Sequence, residues 1–526
     1  MIHLCLAKMS ETGMEQKYIQ EAFDTQWVAP LGPNVDAFEK NLEDFVNTCH
    51  LDQASSPCHL DHPTCHFERS REISEISPCA SLSRDDKGNM LSRDDKALSK
   101  RIVALSTGTA AVHLALIACG VGPGDEVITQ SFTFCASAHP VTYLGATPVF
   151  VDSERDTWNI DPDLLEEAIK DRIAKTGKKP KAIMPVALYG MPYNLDRIME
   201  IAHRYEIPVI EDAAEGFGSR YKGRVLGTFG EYGVLSFNGN KMITTSGGGA
   251  LVCKDNTDWN KIMWLATQAR ESYPYYQHET IGYNYRMSNI CAGIGRGQMT
   301  VLEEHIAHHH HVQALYEHLF APIPGITVHT QPDTLCHFEQ PTCHLDQASC
   351  HFERSREISE ISPCASLSRD DKGNNGRRDD KALSKRVERS LDSARDDKVY
   401  DSNYWLTTIT LDPALKVKGQ ENAYKQMVTG AVGGAAGVIH TASTPVTDCQ
   451  PNDNVEAMRL ALLAAGIESR PLWKPMHKQP VYASAPAYVN GVSEGLFKVG
   501  MCLPTGPCVS DEDVEYIVNT IKDNIL

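Results

Sequence analysis

Between residues 101 and 212 short apolar runs alternate with stretches of helical length, and no other feature of the chain restricts its fold as strongly. Arg101-Ile102-Val103-Ala104-Leu105, Val127-Ile128-Thr129, Pro148-Val149-Phe150-Val151-Asp152, Ala182-Ile183-Met184-Pro185-Val186 and Pro208-Val209-Ile210 each have the character of a buried strand. A helix is expected over Ala110–Ile117. Asp161-Pro162-Asp163 supplies a capping residue, a first-position proline and a first-turn acid for another. This rhythm predicts an α/β domain with a largely parallel sheet flanked by helices. Ahead of it, Ile19 to Phe45 suggests two helices broken at Trp27-Val28-Ala29-Pro30-Leu31-Gly32-Pro33. Behind it, a strand over Asn403–Thr410, an amphipathic helix over Asn454–Ala465 and a closing helix over Ser510–Ile525 predict a smaller C-terminal α+β domain. The expected division gives domains of about 1–300 and 301–526.

Two blocks interrupt the pattern. Residues 65–89 and 350–374 both read CHFERSREISEISPCASLSRDDKGN, and flanking pieces recur as well, 48–55 at 342–349 and 94–101 at 379–386. Structural repeats share a core pattern rather than every letter, so this identity points to a DNA repeat translated in frame. The blocks hold few large apolar residues and many charges of both signs, too little to offset their own ordering entropy. Surface insertions are therefore expected at about 49–100 and 336–398, with a third, rich in Gly, Ala and Thr, at about 420–450.

Of 16 cysteines, Cys49, Cys58, Cys65, Cys79, Cys336, Cys343, Cys350 and Cys364 fall in these blocks and the rest are scattered. Free thiols in a reducing compartment fit that scatter, with the cytoplasm as the default. The Cys-His pairs lack the spacing of structural zinc sites, so no metal is expected. Lys+Arg 50 against Asp+Glu 68 gives a net charge of −18, which argues against nucleic acid or an anionic membrane as the main partner. No apolar run approaches the length of a membrane span.

Three stretches carry the chemistry. Ser236-Phe237-Asn238-Gly239-Asn240-Lys241-Met242-Ile243-Thr244-Thr245-Ser246-Gly247-Gly248-Gly249 places a lysine in a turn rich in Gly, Asn, Ser and Thr between two apolar strands. A primary amine among hydroxyls and flexible backbone suits a Schiff-base lysine beside an anion, and a solvated turn lysine would account for it in isolation. Ser106-Thr107-Gly108-Thr109, between a strand and a helix, is a second anion candidate, although an ordinary Ser or Thr N-cap has the same form. Glu211-Asp212-Ala213-Ala214-Glu215-Gly216-Phe217-Gly218 follows the carboxyl end of a strand, where ligands gather in parallel sheets. Asp212 there either faces a protonated ring nitrogen or caps the next helix.

Taken together and in order, STGTAAVHLAL, EDAAEGFG, SFNGNKMITTSGGG, GYNYRMSN and SRPLWKPMH resemble the DegT/DnrJ/EryC1/StrS family of sugar aminotransferases. Within it they look most like the UDP-4-keto-6-deoxy-N-acetylglucosamine 4-aminotransferases of the bacillosamine type. The resemblance spans nearly everything outside the insertions. It implies a fold-type-I, pyridoxal-phosphate-dependent enzyme that works in the cytoplasm as a homodimer with shared active sites. It further implies that Lys241 is covalent anchor and general acid/base, that Asp212 pairs with the pyridine nitrogen, and that Phe134 stacks on the ring. The N–H groups of Thr109 and Ala110 with the Ser236 hydroxyl would bind the phosphate, and Asn284 would reach it from a second subunit. Glu215 stands where many relatives have His or Gln near the cofactor's ring oxygen, so it is either protonated or turned toward substrate.

Arg470, Trp473, Lys474 and His477 are the implied contacts to a nucleotide-sugar, or else a Pro-bracketed surface loop. The implied reaction carries an amino group from L-glutamate to C4 of a UDP-linked 4-keto-6-deoxy-N-acetylhexosamine, releasing 2-oxoglutarate and serving glycan or lipopolysaccharide synthesis. A dTDP- or GDP-linked keto sugar is the neighbouring alternative. Dehydratases of the family carry His in place of the lysine, and Lys241 counts against them. A protein made inert by displacement of the strand at 101–105 is the third.

Overall fold

The apolar runs become strands because they are buried on both faces. The computed structural model describes residues 1–48, 99–332, 399–423 and 449–526. The strands in chain order are β1 (Arg101–Leu105), β2 (Glu126–Gln130), β3 (Thr147–Val151), β4 (Ala182–Met184), β5 (Ile210–Asp212), β6 (Arg220–Tyr221), β7 (Arg224–Val225), β8 (Tyr232–Ser236), β9 (Gly249–Cys253), β10 (Ile326–Val328), β11 (Tyr400–Asp401), β12 (Thr407–Leu411), β13 (Arg470–Pro471), β14 (Ala487–Tyr488) and β15 (Gly500–Leu503). Two four-stranded halves, β14-β3-β2-β4 and β1-β9-β8-β5, are joined by parallel bridges at Ile183–Val209 and Val186–Asp212. Neighbours in the joined sheet are parallel except where β9 meets β8 and β1. The fold is thus α/β with a mostly parallel sheet, and β1, β5 and β8 end on the same edge.

The helix Gly108–Ala118 packs against this sheet through Ala111, Leu114 and Ala115 beside Val103, Val234 and Leu251. Its start is set by Thr107, whose Oγ1 accepts from Ala110 N at 2.9 Å. The helix Pro162–Thr176 begins as its sequence predicts, with Asp161 as cap and Pro162 in the first turn. A second, antiparallel sheet has the order β10-β12-β15-β13. Helices Leu302–Phe320, Asp453–Ala464 and Asp511–Asp523 cover it, with Tyr316, Met458 and Ile517 packed beside Ile409, Met501 and Leu503. The last helix carries the capping box Ser510/Asp513.

Two expectations shift, and one strand was not foreseen. Pro185 lacks the N–H that would extend β4, so the strand stops at Met184. Residues 403–406 are not strand, because the Asn403 side chain takes over local bonding and Tyr404 adopts φ +46°, and β12 begins only at Thr407. β14 lacked an apolar run to betray it, yet it pairs with β3. The repeat blocks and most of the stretch from Gln420 to Gln450 lie outside the described residues. Their edges are fixed. The Asn47 amide donates to Lys100 O at 3.0 Å and accepts from Lys100 N at 2.9 Å, while Ser402 N donates to Gln331 Oε1 at 3.1 Å. β1, which follows the first block, pairs with β9 along its whole length.

Candidate active site

Asp212 is the last residue of β5, Ser236 the last of β8, and Thr107 stands two residues beyond β1. Because these strands end on one edge, the three meet at a cavity of about 260 Å³. Thr109, Phe134, Asp212, Glu215, Ser236, Lys241 and Trp473 of the sequence-predicted set line it.

One end suits an anion. Ala110 N is committed to the Thr107 cap, so among the described residues the donors left at the helix start are the N–H groups of Gly108 and Thr109. Ser236 crowds against them: a Cβ on Gly108 would lie 3.0 Å from Ser236 Cβ, and a Cβ on Gly249 would lie 2.4 Å from Gly108 N. Glycine at both positions is what lets the strand ends close into a cradle.

The other end is acidic and dry. Asp212 Oδ2 accepts from Ser137 Oγ at 2.6 Å and Oδ1 from Ala214 N at 3.2 Å. Ser137 lies 2.9 Å from Thr133 Oγ1, which extends the network. Burial pushes the Asp212 carboxyl above its ordinary range, opposed by the Ser137 bond. A cationic ring nitrogen would restore the ionised form. Glu215 is buried, with Oε2 accepting from Tyr189 N at 2.8 Å and Oε1 lying 3.5 Å from Lys241 Nζ. Burial raises its carboxyl too, and Lys241 opposes the rise.

Phe134 is half exposed at the wall, its ring 5.3 Å from Trp473, which stacks on Tyr189 at 6.1 Å. Ala110, Asn284, Arg470, Lys474 and His477 lie outside the lining. Asn284 is exposed and pairs with Thr267. Arg470 is bonded to Glu468 at 3.0 Å, and His477 Nδ1 lies 2.6 Å from Ser131 Oγ. The sequence reading missed Asn238, Asn240, Ser137 and Trp405, all of which line the cavity. The hydroxyls in Ser131-Phe132-Thr133-Phe134-Cys135-Ala136-Ser137 were a signal for Ser137, and the tryptophan behind Asn403-Tyr404 was one for Trp405.

An anion cradle, a buried carboxylate and an amine on one cavity fit a phosphorylated pyridine aldehyde. The helix start and Ser236 suit its phosphate, Asp212 its ring nitrogen and Lys241 its carbonyl.

EpsN of Bacillus subtilis, whose name gives it as a pyridoxal phosphate-dependent aminotransferase, is 33% identical over 97% of this chain and 92% of its own. GDP-perosamine synthase of Escherichia coli O157:H7 is 34% identical over 59% of this chain and 69% of its own. UDP-2-acetamido-2-deoxy-3-oxo-D-glucuronate aminotransferase of Pseudomonas aeruginosa is 40% identical over 42% and 59%. A crystal structure of a DegT DnrJ EryC1 StrS aminotransferase from Brucella abortus superposes with a TM-score of 0.64 at 20% identity, covering 97% of this chain and 95% of the other, which bears on the fold alone. The family model for the DegT/DnrJ/EryC1/StrS aminotransferase family matches residues 95–359 and 422–522. On these matches the chain belongs to the DegT/DnrJ/EryC1/StrS aminotransferase family.

Proposed function

We propose that the protein carries an amino group from L-glutamate to the C4 keto group of a UDP-linked 4-keto-6-deoxy-N-acetylhexosamine, using pyridoxal phosphate and working as a homodimer. The observation that carries this reading is the single cavity that gathers the Lys241 amine, the Asp212 carboxylate and the helix start with Ser236. Pyridoxal phosphate, when bound, supplies a carbonyl that accepts amino groups and a ring that withdraws electrons.

Lys241 is the covalent anchor at rest. Its amine, whenever free, would take the proton from the Cα of the amino donor and would give a proton to C4 of the acceptor sugar, the work of a general acid/base. Asp212, with its charge shared by Ser137 and Ala214, holds the ring nitrogen protonated. Burial favours the neutral form of Glu215, which suits a donor facing a phenolic oxygen. Phe134 would stack on the cofactor's ring, and Trp473 beside it forms the wall on which the sugar nucleotide rests, with Arg470, Lys474 and His477 beyond it. Asn284, exposed on its own chain, serves the cavity of a second copy. Residues 1–300 form the cofactor-binding domain and 301–526 the smaller one.

The names of two relatives, one acting on a GDP-linked and one on a UDP-linked sugar, support a nucleotide-sugar acceptor and keep GDP as the second reading. The test supplies the purified chain with pyridoxal phosphate, L-glutamate and, separately, UDP-, GDP- and dTDP-linked 4-keto-6-deoxy sugars. Equal amounts of amino sugar and 2-oxoglutarate are expected from the UDP substrate, and none from Lys241→Ala. Turnover of the GDP or dTDP sugar alone moves the assignment to that nucleotide, and no product from any of them rejects it.

A further inference from the structure

Lys241 Nζ stands 4.1 Å from the centroid of the Trp405 ring. The indole is buried, and its Nε1–H donates to Asn240 O at 2.6 Å, which fastens the ring to the residue just before the lysine. Its backbone is fastened as firmly. Asn403 Nδ2 donates to Glu215 O at 3.0 Å and Phe217 O at 2.9 Å, Asn403 Oδ1 accepts from Trp405 N at 2.9 Å, and Tyr404 at φ +46° turns the chain between them. Room for Asn403 depends on Gly190, where a Cβ would lie 1.9 Å from Asn403 Oδ1. The ring is therefore tied both to the turn that carries Lys241 and to the strand end that carries Glu215. A cation within about 6 Å of an indole face is attracted to its negative quadrupole, more strongly when water is excluded. The Lys241 side chain is largely withdrawn from solvent, with Glu215 Oε1 at 3.5 Å as its other partner.

We propose that Trp405 is a positioning residue for the amine of Lys241. Its indole face holds that amine whenever the amine is not covalently engaged, and so governs the chemical step rather than substrate binding. The proposal rests on Lys241 being the catalytic amine.

Position 405 is varied in the full chain to Phe, to Leu and to ring-fluorinated tryptophan, which keeps the indole's shape while draining charge from its face. In the cofactor-free protein, acylation of Lys241 by an amine-directed reagent is scored by peptide mass spectrometry against exposed Lys178. The rate is expected to rise about fivefold for Trp405→Leu and stepwise with fluorination, while Trp405→Phe stays within about twofold of wild type. With pyridoxal phosphate restored, kcat is expected to fall about tenfold for Trp405→Leu at unchanged KM, and Trp405→Phe to recover most of it. Rates that do not change along the fluorinated series, equal losses in the Phe and Leu variants, or an effect confined to KM would each overturn the proposal. Should the Leu variant fail to fold, the fluorinated series decides alone. Borohydride trapping of pyridoxal phosphate on a lysine other than 241 would reject the catalytic-amine reading and leave the labelling result standing.

Discussion

Glu215 Oε1 and Lys241 Nζ stand 3.5 Å apart inside the cavity, and the other Glu215 oxygen accepts the Tyr189 N–H. The pair puts a proton-hungry carboxyl beside an amine in a site from which water is largely excluded. Its consequence is a stability that depends on pH. The folded-state pKa of Glu215 is raised above its ordinary 4.5, so its contribution is fully present below about pH 4.5 and is lost as pH rises through the folded value. The stability of wild type relative to Glu215→Gln should therefore decline from pH 4.5 toward neutrality, by about 1.4 kcal/mol for every tenfold by which folding weakens the acid. Urea unfolding of the cofactor-free pair at pH 4.5 and 7.5 measures this, and a difference that is flat or grows with pH contradicts it.

Ser137 tunes Asp212. Its hydroxyl bond favours the ionised carboxylate, so Ser137→Ala should raise the Asp212 pKa and move the acid limb of kcat/KM to higher pH. A hydrogen bond to a charged group contributes about 1.5–3 kcal/mol, so the limb should move by about one pH unit or more. The pH–rate profile reads it directly, and an unmoved acid limb rules the coupling out.

Gly249 and Gly239 make a matched pair of tests. A Cβ at Gly249 meets the backbone of Thr107 and Gly108, which has no freedom to yield, whereas at Gly239 the nearest atom is Ser246 O at 4.0 Å. Gly249→Ala should cost roughly 1–3 kcal/mol and weaken pyridoxal phosphate binding, with Gly239→Ala close to wild type. Thermal unfolding and cofactor titration report both, and equal behaviour of the two variants would falsify the cradle argument.

Asn284 separates a shared site from a private one. Lys241→Ala and Asn284→Ala should each be nearly inactive, yet unfolding and refolding them together should restore roughly a quarter of wild-type activity, because half the dimers are hybrids holding one intact site. A mixture as inactive as its parents shows that Asn284 acts within its own chain or not at all.

Much of the large sheet was legible because its strands are buried on both faces and appear as unbroken apolar runs, from Ile102 to Leu105 and from Val149 to Val151. Caps at Asp161 and Ser510 were legible for a similar reason, since a single side chain determines each. The lysine turn and the Asp212 strand end stood out because glycine, hydroxyls and a charge converge within a few residues. Trp405 did not, as its role depends on Asn403 reaching back to Glu215 and Phe217, contacts with no local signature. β14 was equally hidden, two residues borrowed by a distant edge. Local order was written in the sequence, and long-range reach had to be seen.

The amide of Asn47 and the backbone of Lys100 are stapled to each other, as are Gln331 and Ser402. A chain that departs and returns through a closed gate presents the same scaffold whatever the length of its excursion, since the entropy of closure rises by only about 0.6 kcal/mol for each doubling. Each gate closes on described residues alone, so the framework on either side of it is held by bonds that do not draw on what lies between.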